Sequence, residues 1–270
     1  MRRFLGFIVT VGALALAGFV GFSLVDSWLN PEPLTIENVD GRPLVTATQP
    51  ALIPFNFELD NSGYDVSYPQ CKGELPNKFV GYAIIGLNGG KPFSENKCFQ
   101  KQWDWALTHD AVAVYINTAD PGDESPVRYG KKIAKDTLKR LNKYDINPGT
   151  PVWLDVETYN TWSGADRAVQ VLTELAIDLT AAGYPVGIYA PPVHWFEITG
   201  NANVGMPLWL AIGPYPDVES GVAAAKAACN ENAFGGKAPD MVQFVATVDG
   251  VALDRNIICT SPVGLVAPTR

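Results

Sequence analysis

The stretch Val152-Trp153-Leu154-Asp155-Val156-Glu157 follows Pro151 and is apolar except for two carboxylates at alternate positions. Residues i and i+2 of a strand point to one face. A strand here therefore sends Asp155 and Glu157 to the same side, their backbones ~6.6 Å apart at ~3.3 Å per residue. Neighbouring carboxylates in a dry pocket do not both ionise readily, so one keeps its proton. Such a pair can divide into a general acid and a charged partner, the division on which glycosidic-bond cleavage depends. An isolated Asp-x-Glu is also compatible with a solvated strand end or a salt-bridge pair; Trp153, Leu154 and Val156 argue instead for a buried strand.

Outward from this strand the same grammar repeats. Short apolar, β-branched or aromatic runs predict strands at 63–67, 79–87, 111–117, 151–157, 185–189, 207–212, 241–246 and 252–256. Helical patterns fall between them at 95–108, 125–144, 163–182 and 218–228. The third opens on Ser163 three residues before Asp166, like a capping box, and its stripe is Leu172, Leu175, Ala176 and Leu179 before Gly183. Strands interleaved with helices predict a parallel sheet, and continuous apolar runs suit strands buried on both faces. The expected fold is α/β, a compact (β/α)8 barrel over 63–262. An open doubly wound sheet competes, but no Gly-x-Gly-x-x-Gly follows a strand.

Parallel-sheet proteins place function at the C-terminal ends of strands. Polar residues gather there: Asp65, Asn88, Asn117, Asp155, Glu157, Tyr189, Gln243, Asp254 and Asn256. Aromatic faces can stack on sugar rings. Trp162, Trp195, Tyr64, Tyr68 and Tyr189 are the candidate walls, whereas Trp103, Trp105 and Trp209 read as packing residues. His109 and His194 are the two histidines, no Gly-x-Ser-x-Gly elbow accompanies them, and His194 in Pro-Pro-Val-His-Trp reads as a structural loop residue. No metal site or cofactor is expected.

The net charge is −8, which disfavours a nucleic-acid partner. Arg2 and Arg3 precede a 22-residue apolar run, 4–25. As a helix it would span ~33 Å at ~1.5 Å per residue, enough for a bilayer core of ~30 Å. That length favours an uncleaved signal anchor over 1–30 and a single-pass membrane protein with an exported domain; Ala15-Leu16-Ala17 leaves a cleaved signal peptide and secretion as the alternative. A Pro-rich stretch, 31–62, reads as an extended arm, and 263–270 as a tail. Four cysteines in an exported chain suggest disulfides. Three pairings are open, and the sequential one, Cys71–Cys98 and Cys229–Cys259, is the expectation. Zinc is the poorer alternative, because no Cys-x-x-Cys exists.

Six segments occur in order: Gly63-Tyr64-Asp65-Val66-Ser67, Trp153-Leu154-Asp155-Val156-Glu157, Gly187-Ile188-Tyr189, Pro207-Leu208-Trp209-Leu210-Ala211, Val242-Gln243-Phe244 and Leu253-Asp254-Arg255-Asn256. Together they resemble the lysozymes of glycoside hydrolase family 25 and the related domains of bacterial envelope proteins. The resemblance implies a shortened β/α barrel that cuts the β-1,4 bond after N-acetylmuramic acid, with peptidoglycan as partner. It implies Glu157 as general acid and Asp155 as support for a substrate-assisted oxazolinium intermediate. Asp65 would lie at the pocket floor, Asp254 would be the last-strand acid, and Tyr189 and Gln243 would line the groove. The second and third strand ends depart from the family's Lys-x-Thr-Glu-Gly-like and Tyr-His-Phe patterns: here they read Gly86-Leu87-Asn88-Gly89-Gly90 and Tyr115-Ile116-Asn117. A barrel without catalytic activity that binds envelope glycan or partner proteins is the alternative.

Overall fold

The structure is a computed structural model that describes residues 62–76, 81–248 and 251–259, and the backbone of Asn38–Val39 and Arg42–Pro43, which pair antiparallel. The expected anchor, nearly all of the expected arm and the tail lie outside the described residues. Among the described residues no helix is long and apolar enough to cross a membrane.

Eight strands close into a barrel: β1 Ser62–Val66, β2 Tyr82–Gly86, β3 Ala111–Asn117, β4 Val152–Asp155, β5 Val186–Ala190, β6 Leu208–Tyr215, β7 Met241–Val248 and β8 Val251–Ile258. Neighbours from β1 to β7 are parallel. The parallel expectation fails at β8, which is antiparallel to both β7 and β1. Its physical reason is the link: β7 ends at Val248 and β8 begins at Val251, and two residues cannot carry the crossover of a dozen or more that a parallel return needs.

The side-chain alternation of the strands builds two cores. On β3, Val112, Val114 and Ile116 face outward into the layer under the helices, while Ala111, Ala113 and Tyr115 face the interior. The interior is filled by Tyr82, Ile84, Trp153, Trp209, Met241 and Ile258. Rings of that size need space opposite them. A Cβ on Gly63 would come within 2.3 Å of the Tyr82 ring, and one on Gly187 within 2.3 Å of the Trp153 ring. The aromatic plug thus closes the lower barrel, and polar residues of the same inward rows are left at the upper end.

The helices are α1 Phe99–Ala106, α2 Pro126–Lys143, α3 Ala165–Ala181, α4 Pro192–Thr199 and α5 Val218–Ala228. In α2 the buried stripe is Tyr129, Ile133, Ala134, Thr137 and Leu141. In α3 it is Ala168, Leu172, Leu175, Ala176 and Leu179, among others. The Ser163 capping box does not form. Gly164 is the N-cap, and the Ser163 hydroxyl instead donates to the Asp120 carbonyl at 3.0 Å. The expected helix over 95–108 is shorter, because the Asn96 side chain is engaged with the Gly86 carbonyl and Gln102. His194 is not in a loop: α4 starts with Pro192, whose missing N–H costs nothing in a first turn, and ends at Gly200 in the left-handed region (φ 65°).

Both sequential disulfides are present. Cys71–Cys98 ties the 3-10 turn Tyr68–Lys72 to the start of α1, and Cys229–Cys259 ties the end of α5 to the end of β8.

Candidate active site

A cleft of about 360 Å³ opens at the C-terminal end of the parallel strands. Asp65, Asp155, Glu157 and Asp254 all line it. β1 supplies Asp65, and β4 supplies Asp155 with Glu157 just past its end. Asp254 reaches the same rim because β8 runs in reverse: it pairs with Val245 near the end of β7, while Asn256 sits one inward position deeper opposite Gln243.

Each deep carboxylate is held by amides. Gln243 Nε2 donates to both oxygens of Asp65, at 3.0 and 3.1 Å, and Asn256 Nδ2 donates to Oδ2 at 2.7 Å. Tyr189 donates its hydroxyl to Gln243 Oε1 at 2.9 Å, and Trp209 Nε1 donates to Asn256 Oδ1 at 2.8 Å, so both amides are fixed in orientation. Asp155 accepts from Asn117 Nδ2. Asn117 is itself clamped: its N–H donates to Asn88 Oδ1 at 3.1 Å and its carbonyl accepts from Asn88 Nδ2 at 3.0 Å. Thr118 donates to the Asp155 carbonyl through both N–H and hydroxyl. Glu157 is more open. Trp162 Nε1 donates to its backbone carbonyl at 2.9 Å, and His194 Nδ1 lies 3.8 Å from its Oε1.

These acids hold protons more tightly than carboxylates in water. Burial, reinforced by the charge of Asp254, pushes Asp65 well above the usual range, against the pull of its amide donors. Burial and then the charges of Glu157 and Asp65 push Asp155 well up, and the Asn117 hydrogen bond opposes this. Glu157 is raised by burial and by Asp254, and a hydrogen bond with Asp155 opposes this. Asp254 is raised by burial to about 6. The hydrogen bond between Asp155 and Glu157 raises Asp155 and lowers Glu157, so the pair holds one proton between them, as one acid and one carboxylate. The Tyr115 and Tyr189 hydroxyls are driven well above 10 by burial and the surrounding carboxylates, and remain protonated donors.

Of the expected walls, Tyr68, Asn117, Tyr189 and Gln243 line the cleft. Others do not. Trp195 is fully buried, its Nε1 donating to the Ala202 carbonyl and its ring against Phe234. Tyr64 alternates with Asp65 and turns away, its ring 4.8 Å from the Arg255 guanidinium. Trp162 packs on the outer core. Asn88 and Asn256 are buried supports for Asn117 and Asp65.

Sequence reasoning missed Tyr115, Tyr159, Asn160, Trp209 and Val245, which line the cleft. Alternation offered a signal for Tyr115 (two before Asn117) and Val245 (two after Gln243), but not for Tyr159, which lies in the turn after β4. Trp209 carried none: it is both interior packing and cleft wall, with its ring centroid 4.6 Å from that of Tyr189.

A closed β/α barrel with an acidic cleft at its strand ends defines the class. The family model for lysozyme-like protein 1 matches residues 93–229, just over half of the chain. The chain belongs to that lysozyme-like family. The match includes Asp155 and Glu157 and stops short of Asp65 and Asp254. Two proteins of Dictyostelium discoideum are similar in part. Probable GH family 25 lysozyme 2 is 32% identical over 84 residues, covering 30% of this chain and 39% of that protein. Probable GH family 25 lysozyme 4 is 31% identical over 99 residues, covering 36% and 41%. The matched region thus spans about two fifths of these curated relatives. Among solved structures, a muramidase from Trichobolus zukalii superposes with a TM-score of 0.53 at 18% identity, over 73% of this chain and 92% of that one. A bacterial lysozyme from Streptomyces coelicolor gives 0.51 at 16%, over 76% and 94%. A family 25 glycosyl hydrolase from Bacillus anthracis gives 0.51 at 17%, over 73% and 88%. At these identities the likeness establishes the fold.

Proposed function

We propose that the barrel hydrolyses a cell-wall glycan, with Glu157 as general acid and Asp155 steadying a substrate-assisted intermediate. The observation that carries this reading is that Asp155, the last residue of β4, and Glu157, two residues beyond it, enter one cleft, with Asp65 and Asp254 beside them. Glu157, raised by burial and Asp254, is suited to hold a proton and pass it to the glycosidic oxygen. The C–O bond to the leaving sugar breaks as the acetamido oxygen of the retained sugar attacks the anomeric carbon. The resulting oxazolinium is cationic, and its N–H needs an acceptor. Asp155, oriented by Asn117 and already backed by Thr118, is placed to accept it. Glu157, now a carboxylate, takes a proton from water as the water oxygen attacks the anomeric carbon. The ring opens, the acetamido group is restored and Glu157 is reprotonated. Whichever of Asp65 and Asp254 is ionised makes the field of the cleft negative, which favours the cationic intermediate.

On this reading the domain works outside the cytoplasm, where its two disulfides persist, and the apolar run at 4–25 anchors it to the membrane. The substrate supported best is a β-1,4-linked N-acetylhexosamine polymer, since the mechanism requires an acetamido group on the retained sugar; peptidoglycan cut after N-acetylmuramic acid fits the names of the structural relatives. The test is digestion of purified peptidoglycan and of chitin oligosaccharides by the full-length chain, with new reducing ends identified by borohydride labelling and mass spectrometry. Reduced muramic acid is the expected product. Release of no sugar from any acetamido-glycan would leave a glycan-binding barrel as the better reading.

A further inference from the structure

Tyr159 is 86% exposed and lines the cleft, two residues beyond Glu157. Its backbone is not free to drift. Asn160 on one side donates its N–H to the Glu157 carbonyl at 3.3 Å and its Nδ2 to the Gly90 carbonyl across the cleft at 3.1 Å. Trp162 donates to the same Glu157 carbonyl. His194, on α4, meets the Tyr159 ring edge-on, with centroids 5.9 Å apart and planes at 88°. The Nδ1 of that histidine is buried without a hydrogen-bond partner among the described residues and faces Glu157 Oε1. An aromatic face is thus left in water on a braced turn, steadied by the residue that also flanks the proposed acid. A single exposed hydrophobic residue needs no explanation; this one is singled out by its position.

We infer that Tyr159, steadied by His194, is the wall against which the leaving sugar stacks. The inference rests on the hydrolytic reading above, and its direction follows from the chemistry. The general acid must stand over the oxygen that joins the two sugars. The carboxylate that receives the acetamido N–H must lie under the retained sugar. Asp155 is deep, Glu157 intermediate and Tyr159 exposed, in that order along one chain segment. Retained sugar, scissile bond and leaving sugar therefore line up from the barrel interior outward. The ligand class is a β-linked pyranose that offers an apolar C–H face to the ring. His194 is a positioning residue: it meets the ring edge-on, with its Nδ1 3.8 Å from Glu157 Oε1.

The test compares two substrates with the same retained sugars: a tetrasaccharide, which places sugars on the leaving side, and the corresponding β-glycosyl fluoride, which places none there. Tyr159→Ala should lower the ratio of kcat/KM on the tetrasaccharide to that on the fluoride by roughly three- to tenfold, the range expected for one aromatic contact. Tyr159→Phe should restore the ratio, because the ring face is kept. A ratio unmoved by Tyr159→Ala, or a Phe variant that behaves like Ala, overturns the wall. Turnover of neither substrate by the wild-type chain overturns the hydrolytic reading and leaves the contact itself readable: the Tyr159 ring resonances, assigned from Tyr159→Phe, should shift on titration with tetrasaccharide. Absence of that shift at saturation overturns the contact as well.

Discussion

Asp254 on β8 raises the proton affinity of Asp65 on β1 across the antiparallel pair that closes the barrel. The two acids are neighbours because β8 runs backwards, and neither has a cation against it among the interactions described. Asp254 itself is raised to about 6 by burial. A carboxyl whose folded pKa exceeds its unfolded value binds its proton more tightly when folded, so its cost is absent at low pH and grows as pH rises. For Asp254 the window runs from about 4 to about 6, and the full cost above it is up to about 3 kcal/mol. Asp254→Asn should therefore be more stable than wild type by roughly 1–3 kcal/mol at pH 7.5 and nearly equal at pH 4. Urea unfolding at the two pH values checks this; an equal gain at both would refute the assignment.

Asn117 donates to Asp155 and favours its charged form. Asn117→Ala removes that donor, so Asp155 holds its proton to higher pH. If ionised Asp155 supports the intermediate, the acid limb of the pH–rate profile moves upward and kcat falls. A profile unchanged in position, with kcat merely scaled, would remove Asp155 from that role.

Asn88 makes no contact with the cleft and acts through Asn117, accepting from its N–H and donating to its carbonyl. Asn88→Ala leaves buried backbone groups without partners, which costs about 1–3 kcal/mol each when unsatisfied. A drop in the urea midpoint together with a lower kcat is expected. Loss of stability with kcat intact would make Asn88 a purely structural residue.

Cys71–Cys98 closes a loop with a sequence separation of 27, and the residues just before Cys71, Tyr68 and Pro69, wall the cleft. Chain-entropy arguments put the loss on replacing both cysteines by alanine at about 3–4 kcal/mol. Thermal unfolding of that double variant should show a lower Tm and a raised KM; a raised KM without a lower Tm would mean the bridge shapes the cleft and contributes little to stability.

Much of this architecture is written in local sequence. The eight strand runs and the helices α2, α3 and α5 are legible because an apolar strand row or helical stripe must be buried, and burial imposes the period. Asp155 and Glu157 are legible for the same reason, as two polar breaks in one inward row. Residues whose role depends on register across strands are less so. Trp195 and Trp162 follow strand ends just as substrate walls do, yet their indole N–H groups are committed to backbone carbonyls. Trp209 carries the same local signature as a core residue and still reaches the cleft. The reversal of β8 was available from the two-residue gap after Val248, where Asp249-Gly250 stands in the sequence. Helix α4 was obscured by Pro191-Pro192, which looks like a break and is instead a start.

Glu157 is the residue on which the functional account turns. The decisive measurement is the rate of reducing-end release from purified peptidoglycan by the full-length chain, wild type against Glu157→Gln, with Tm recorded for both. Glutamine keeps the shape and loses the proton, so the account predicts a loss of at least about a hundredfold with Tm unchanged or slightly raised. Release undiminished in the glutamine variant would contradict it.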